Sequence, residues 1–599
     1  MAKKTATAPK DTLVPLKSNL PAVVQTPTGA GQDPEGPEHP YRMLDRASRA
    51  ALARMTGGVS PHSIFAAWSD WAMHLSRSPG RQLELAEHAA QNAGKLANFA
   101  QNPAGEAPFK PSDYDHRFTD QSWAKLPFAL YAQGFLAMQD WWNAATDDMP
   151  GFSKSDAERT RFQMRQTLDL VSPSNFPWLN PQIIQETART GGVNLIEGAA
   201  HFTEDMIQTL TQTHKRPPEG FQIGKDLACT KGKVVYRNDL FELIQYSPTT
   251  KDVHAQPLLI VPAWIMKYYI LDLSAHNSMV KYLVDQGFTV FMISWCNPDA
   301  DQAELCLEDY RIKGVMAALD AIGGIVPDQK IHTMGYCLGG TLLSITAATM
   351  ARDGDDRLAT VTLLAAQVDF DEAGELLLFV DESQVAFIED LMWTQGYLDR
   401  PQMTRTFATI RAEDLIYTRA VNRYFLGKDD LPSDILVWNN DTTRMPARMH
   451  SEYLRGLFLE NRLTAGRFAV EGRVIALKDI SAPMFVVGTE TDHIAPWRSV
   501  YKARLFTDHE LTFVLTNGGH NGGILSEPGH KHRHYRVGLR VPDQHYQGPD
   551  EWLEHHAPIE GSWWPEFAGW LAAHSEGKGA PPAMGKALCD APGTYVYPE

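Results

Sequence analysis

Two textures of apolar patterning divide the chain. From Tyr41 to about residue 223, apolar residues recur at three- and four-residue spacing, as in "SIFAAWSDWAMHL" and "FALYAQGFLAMQDWWNAA". Glycines close one such run in "ALARMTGG". That spacing gathers apolar side chains on one helical face, and it predicts a helical domain over residues 41–223. At residue 224 the texture changes. "KVVYRNDLFELIQYSP" alternates as a strand pair does. Compact apolar runs follow: "PLLIVPAW", "FTVFMISW", "KIHTMGY", "ATVTLLAA", "APMFVVGTE" and "LTFVLTNGG", with helical text between them. Strands without polar alternation are buried on both faces, so residues 224–599 are expected to form an α/β domain, a mostly parallel sheet between helical layers. The interval of roughly residues 370–480 is too long for a plain connection and is expected to be a helical cap inserted at the strand ends. Residues 1–40, rich in Thr, Pro, Gly and Lys without periodicity, read as a flexible tail.

One turn in this pattern carries chemistry. Gly335-Tyr336-Cys337-Leu338-Gly339 is a G-x-C-x-G version of the G-x-S-x-G nucleophile elbow, set between an apolar strand and an apolar helix. It specifies an α/β-hydrolase fold, here with a cap insertion and a separate helical N-terminal domain. A nucleophilic Cys337 needs a base, an orienting acid and oxyanion donors. In this fold the partners follow later strands. "MFVVG" runs into "TETDHIAPW", giving Asp492, and "TFVL" runs into "TNGGHNGG", giving His520. His493 is the rival histidine, but it directly follows Asp492 and is expected to point elsewhere. The oxyanion donors are expected to be the backbone N–H of Leu338 and one from the loop after "LLIVP", at Ala263, Trp264 or Ile265. A dinucleotide site is excluded, because "GYCLGG" lacks the G-x-G-x-x-G spacing.

Composition narrows the partners. A chain of 599 residues exceeds one compact domain, and 43% hydrophobic with 21% charged residues is ordinary for a large globular core. The net charge of −17 argues against nucleic acid as a partner. Five scattered cysteines without a C-x-x-C pair support neither a zinc site nor a disulfide framework, and a reducing cytoplasm fits them. The basic start lacks the apolar core of a secretory signal. The longest apolar run, "PLLIVPAWIMKYYIL", is broken by Lys267 and falls short of the ~20 residues that span a bilayer, so no transmembrane segment is expected.

The blocks "PLLIVPAWIMKYYILDL", "GFTVFMISWCNPD", "GYCLGGTL", "TDHIAPW" and "GSWWPEFAGWL", with "RFTDQSWAKLPF" and "LDLVSPSNFPWLNP" in the helical half, together resemble the polyhydroxyalkanoate synthases. The resemblance spans roughly residues 41–599, and the single-chain layout is similar to class I, whose members favour short-chain monomers. It implies Cys337 as nucleophile, Asp492 as acid and His520 as histidine, the same residues that the elbow selects. It also implies (R)-3-hydroxyacyl-CoA as substrate, a growing polyester and its granule surface as partners, a homodimer, a cytoplasmic granule-associated location, and no cofactor or metal beyond the CoA of the substrate. Arg533 and Arg536, in the basic "HKHRHYR" after His520, are candidates for the CoA phosphates. The chain departs from the family's usual residues at Met266, Trp264 and Cys296. Two rival readings stand beside this one: a cysteine thioesterase or polyester depolymerase on the same fold, and a non-catalytic granule-coating protein.

Overall fold

The uninterrupted apolar runs become the centre of one large sheet. The computed structural model describes residues 40–597 except 113, 114, 148, 212–217 and 543, so the expected tail, apart from Pro40, lies outside the described residues. In chain order the sheet contains β1 (Gly232–Arg237), β2 (Phe241–Tyr246), β3 (Leu258–Val261), β4 (Val290–Trp295), β5 (Ile331–Tyr336) and β6 (Leu358–Leu364). It continues with β7 (Met484–Thr489), β8 (Leu511–Thr516), β9 (His534–Arg540), β10 (Ile559–Glu560) and β11 (Cys589–Asp590). Their spatial order is β10-β9-β8-β7-β6-β5-β3-β4-β2-β1-β11. The six central strands, β3 to β8, pair in parallel. The flanking pairs are antiparallel.

Successive side chains of a strand point to opposite faces. Along β3, Leu259 and Val261 enter one apolar core while Leu258 and Ile260 enter the other. Both faces are therefore covered, which is why these strands show no polar alternation. The sequence reading missed β9. "HYRVGLR" begins inside the basic "HKHRHYR", yet it pairs antiparallel with β8 from Leu511 to Thr516. As a near-edge strand it keeps polar residues that a central strand excludes.

The helical region supplies α1 (Pro40–Thr56), α2 (Pro61–Ser76), α3 (Pro79–Gln101), α4 (Phe128–Ala145), α5 (Lys154–Leu170), α6 (Pro181–Thr190) and α7 (Val193–Thr211). Ser60 caps α2 by accepting the Ser63 N–H, and Ser153 caps α5 by accepting the Asp156 N–H. Small apolar clusters hold these helices together, one around Phe135 and Leu168 and another around Trp71 and Met149.

Between β6 and β7 lies the helical insertion, with helices Glu382–Trp393, Arg400–Ile410, Asp434–Asn439 and Ala447–Tyr453. The N-terminal helices grip it. Arg46 and Arg49 both pair with the buried Asp390. Gln384 donates to the Gly58 carbonyl at 2.6 Å and accepts the Ser60 N–H at 2.8 Å. Arg159 reaches the Val380 carbonyl, and Asn194 the Phe425 carbonyl, each at 2.7 Å.

Candidate functional site

The elbow forms because two glycines permit it. Cys337 links β5 to the helix Leu338–Asp353 with φ 53° and ψ −125°, a left-handed conformation that a side chain adopts only where its surroundings impose it. A Cβ on Gly339 would sit 2.6 Å from the Pro262 carbonyl oxygen, and one on Gly335 would meet the backbone of Gly340. Helix and strand ends thus approach more closely than any larger residue allows. The strain lifts Cys337 above the sheet at the C-terminal end of the parallel strands.

Asp492 and His520 converge there from the loops after β7 and β8. His520 donates from Nδ1 to Asp492 Oδ2 at 2.7 Å, which leaves Nε2 for the sulfur. Asp492 is fully satisfied. Its Oδ2 also accepts from Thr489 Oγ1 at 2.9 Å, and its Oδ1 accepts the N–H groups of Ile494 at 2.9 Å and Ala495 at 2.8 Å. Burial works against charge on both partners. For His520 that penalty is outweighed by the Asp492 carboxylate and the Cys337 sulfur, which hold its pKa well above the ordinary histidine value. For Asp492 the imidazole and the hydrogen bonds overcome burial and hold the carboxyl below its usual range. The Tyr336 ring lies 5.5 Å from the His520 ring and donates its hydroxyl to Asn521 Oδ1 at 2.5 Å.

The sequence had offered a rival histidine. His493 does not meet Asp492's carboxylate; it lines a cleft on the N-terminal side, and burial pushes its pKa down. Cys296 is a buried core residue whose thiol burial pushes up to about 11.

Above the sulfur lies a chamber of about 30 Å³, lined by Ile265, Leu338, Thr341, Phe370, Tyr453 and Phe458 among others. Leu338 opens the elbow helix, so its N–H has no acceptor within that helix. Across from it, the loop after β3 is fastened by residues of the insertion. Thr443, fully buried, donates its hydroxyl to the Trp264 carbonyl and its N–H to the Ile265 carbonyl at 3.1 Å. The carbonyl and the N–H of a trans peptide point in opposite directions. Holding the Trp264 oxygen therefore aims the Ile265 N–H away from Thr443, on the peptide edge opposite that bond. The Trp438 indole fixes the Lys267 carbonyl at 2.8 Å, and the Lys267 ammonium donates to the Tyr595 carbonyl at 2.6 Å. No local pattern signals Thr443 or Trp438, because each acts on a loop more than a hundred residues earlier in the chain.

Arg533 and Arg536 are not among the residues lining the chamber or the cleft. Arg533 donates to the carbonyls of Asn517, Gly522 and Leu525, bracing the loop that carries His520. Arg536 donates to the His556 carbonyl.

A strained cysteine elbow, with an imidazole and a carboxylate delivered from the next strand ends, defines a thiol-bearing protein of the α/β-hydrolase fold. The family model described as "alpha/beta hydrolase fold" accordingly matches residues 256–526. Two further models extend the match through the helical region. "Poly-beta-hydroxybutyrate polymerase N terminal" covers residues 39–81, and "Poly-beta-hydroxybutyrate polymerase (PhaC) N-terminus" covers residues 114–283. The "Poly(3-hydroxyalkanoate) polymerase subunit PhaC" of Rhizobium meliloti is 36% identical over 571 residues, 92% of this chain and 93% of that protein. The polymerase of Methylorubrum extorquens is 37% identical over 88% of each chain. That of Cupriavidus necator is 35% identical over 81% of this chain and 83% of its own. The chain belongs to the poly(3-hydroxyalkanoate) polymerase family.

Proposed function

We propose that this chain polymerises (R)-3-hydroxyacyl-CoA, with short monomers such as 3-hydroxybutyryl-CoA preferred, through a thioester on Cys337. The observation that carries the reading is the His520–Asp492 pair at 2.7 Å beside the strained elbow thiol. In the first step the sulfur attacks the acyl carbonyl of the CoA thioester. The Cys337 proton passes to His520, the carbon–sulfur bond to CoA breaks, and the CoA thiolate leaves with that proton. One thioester replaces another, so the exchange is close to balanced in free energy. In the second step the 3-hydroxyl of another acyl-CoA attacks the acyl-cysteine. Its proton goes to His520, an oxoester forms, and the Cys337 thiolate is released to take back the extended chain from CoA. Growth runs downhill from thioester to oxoester, which a serine ester at the elbow would not supply.

Asp492 holds the imidazole tautomer and stabilises its charged form, and general-base help of this kind is worth ~10²–10⁴-fold. The N–H groups of Leu338 and Ile265 take the developing oxyanion. A chamber of about 30 Å³ roofed by Phe370, Tyr453 and Phe458 supports short acyl groups and the exclusion of water. A volume of that size holds only about two or three waters, so binding of an acyl group opens it further. Among the described residues no helix is long and apolar enough to cross a membrane. Association with the granule then follows from the tether, since the product remains joined to the enzyme.

The test uses radiolabelled (R)-3-hydroxybutyryl-CoA. The parent is expected to carry label on the peptide containing Cys337 during turnover, to release CoA and to form insoluble polymer. Cys337→Ala is expected to do none of these. A parent that releases only free hydroxy acid would favour the hydrolase reading, and polymer made by Cys337→Ala would end the thioester mechanism.

A further inference from the structure

The chamber over Cys337 backs onto a much larger space. A cleft of about 1520 Å³ opens between helices α3 to α5 and the insertion, floored by the segments around Phe370, Leu377, Phe458 and His493. Phe370 and Phe458 line both cavities. Their rings lie 4.9 Å apart, centre to centre, and both side chains are buried. One layer of phenyl rings is thus the partition between the thiol and the cleft.

The chemistry of the cleft selects among possible occupants. Among the described residues its walls carry seven lysines and arginines against eight aspartates and glutamates. Several are committed to one another: Arg159 to Asp381, Arg161 to Asp147, Arg165 to Glu375 and His88 to Asp140. Such a wall offers no positive field to the phosphates of CoA. Between the ion pairs run apolar ledges from both domains, among them Phe162, Leu168, Leu377 and Leu459. An uncharged chain with alkyl branches and scattered ester carbonyls fits that surface. A chain tethered at Cys337 also has to leave a chamber too small to hold it, and the phenyl partition is the layer shared with the large space.

We infer that the cleft between the helical domain and the insertion holds the growing polyester as it leaves Cys337, with Phe370 and Phe458 as the door between chamber and cleft. The inference rests on the thioester reading above. It gives the helical domain a direct part in polymerisation, as one wall of the product path.

The test places the photo-crosslinking residue p-benzoylphenylalanine at Leu459 in the full chain, and separately at Val541. Val541 is exposed and follows β9 at the Leu511–Arg540 pair, the end of the sheet opposite the elbow. Each protein turns over radiolabelled (R)-3-hydroxybutyryl-CoA under irradiation, and hydroxylamine then strips label held as thioester. The expected result is hydroxylamine-labile label on the Cys337 peptide in both, with light-dependent stable label at 459 and none at 541. Thioester label at Cys337 with no more capture at 459 than at 541 would overturn the cleft assignment. Absence of thioester label from both proteins would overturn the reading beneath it.

Discussion

Thr443→Val isolates the contribution of a residue that never touches the substrate. The substitution keeps size and shape but removes the hydroxyl that binds the Trp264 carbonyl. Thr443 is fully buried, so no bulk water replaces the lost donor. A buried acceptor stranded in this way costs ~1–3 kcal/mol of stability. The catalytic effect is separate. The Ile265 N–H keeps its aim only while the peptide before it is held, and loss of one oxyanion donor lowers turnover by ~10²–10³-fold. That range is an upper bound here. The Thr443 N–H still holds the Ile265 carbonyl at 3.1 Å, and the Leu338 N–H is unaffected. A loss of about tenfold to a hundredfold is therefore expected, within the reach of partial misalignment. Stopped-flow measurement of CoA release separates the first acylation from later turnover, and urea unfolding reports the stability term. Thr443→Ser restores the hydroxyl and is expected to recover most of the rate. A Thr443→Val protein that loses the expected stability yet acylates at the parental rate would refute the link between this hydroxyl and the oxyanion donor.

Three other perturbations read out different parts of the molecule. In Cys337→Ala, His520 loses the sulfur that helps hold its pKa up, so the imidazole is expected to titrate lower than in the parent; Asp492 keeps it from falling freely. Isotope-labelled histidine followed by NMR checks this, and an unmoved titration would mean that sulfur and imidazole do not interact. The same elevation fixes a stability window. Because the folded value lies above the ordinary one of about 6.5, the stability that His520 contributes is fully present below that pH and fades as pH rises through the folded value. Parent and His520→Gln unfolding curves are accordingly expected to converge at alkaline pH. In the helical domain, Arg117 is buried and forks onto Asp115 at 2.7 Å and Asp169 at 2.7 Å. Arg117→Met strands two buried carboxylates and is expected to cost ~3–5 kcal/mol, measured by denaturant unfolding of the whole chain. Arg117→Lys is expected to recover little of it, because an ammonium cannot reproduce the fork.

What could be read in the sequence follows from how locally each feature is encoded. "FTVFMISW" announces β4 because a strand buried on both faces tolerates no polar interruption. Cys337, Asp492 and His520 were visible for a related reason: each stands in the turn directly after its own strand, so a short window carries both the element and the residue. The reading weakens where one side of an element meets solvent. The basic "HKHRHYR" drew attention for its charge, which hid that its last three residues open strand β9; Arg533 and Arg536 donate to carbonyls of nearby loops. It fails where function depends on chain segments meeting from afar. Nothing near Thr443 says that it fastens the Trp264 peptide, and nothing near Phe370 or Phe458 says that two phenyl rings divide a chamber from a cleft. The length of the insertion was legible; what it touches was not. The same limit hides what the helical domain touches. Its arginines and Gln384's partners Gly58 and Ser60 reach the insertion, and the insertion in turn holds the loop of Trp264 and Ile265. The helical domain is thereby joined to the loop beside the Cys337 thiol through two layers of polar contacts.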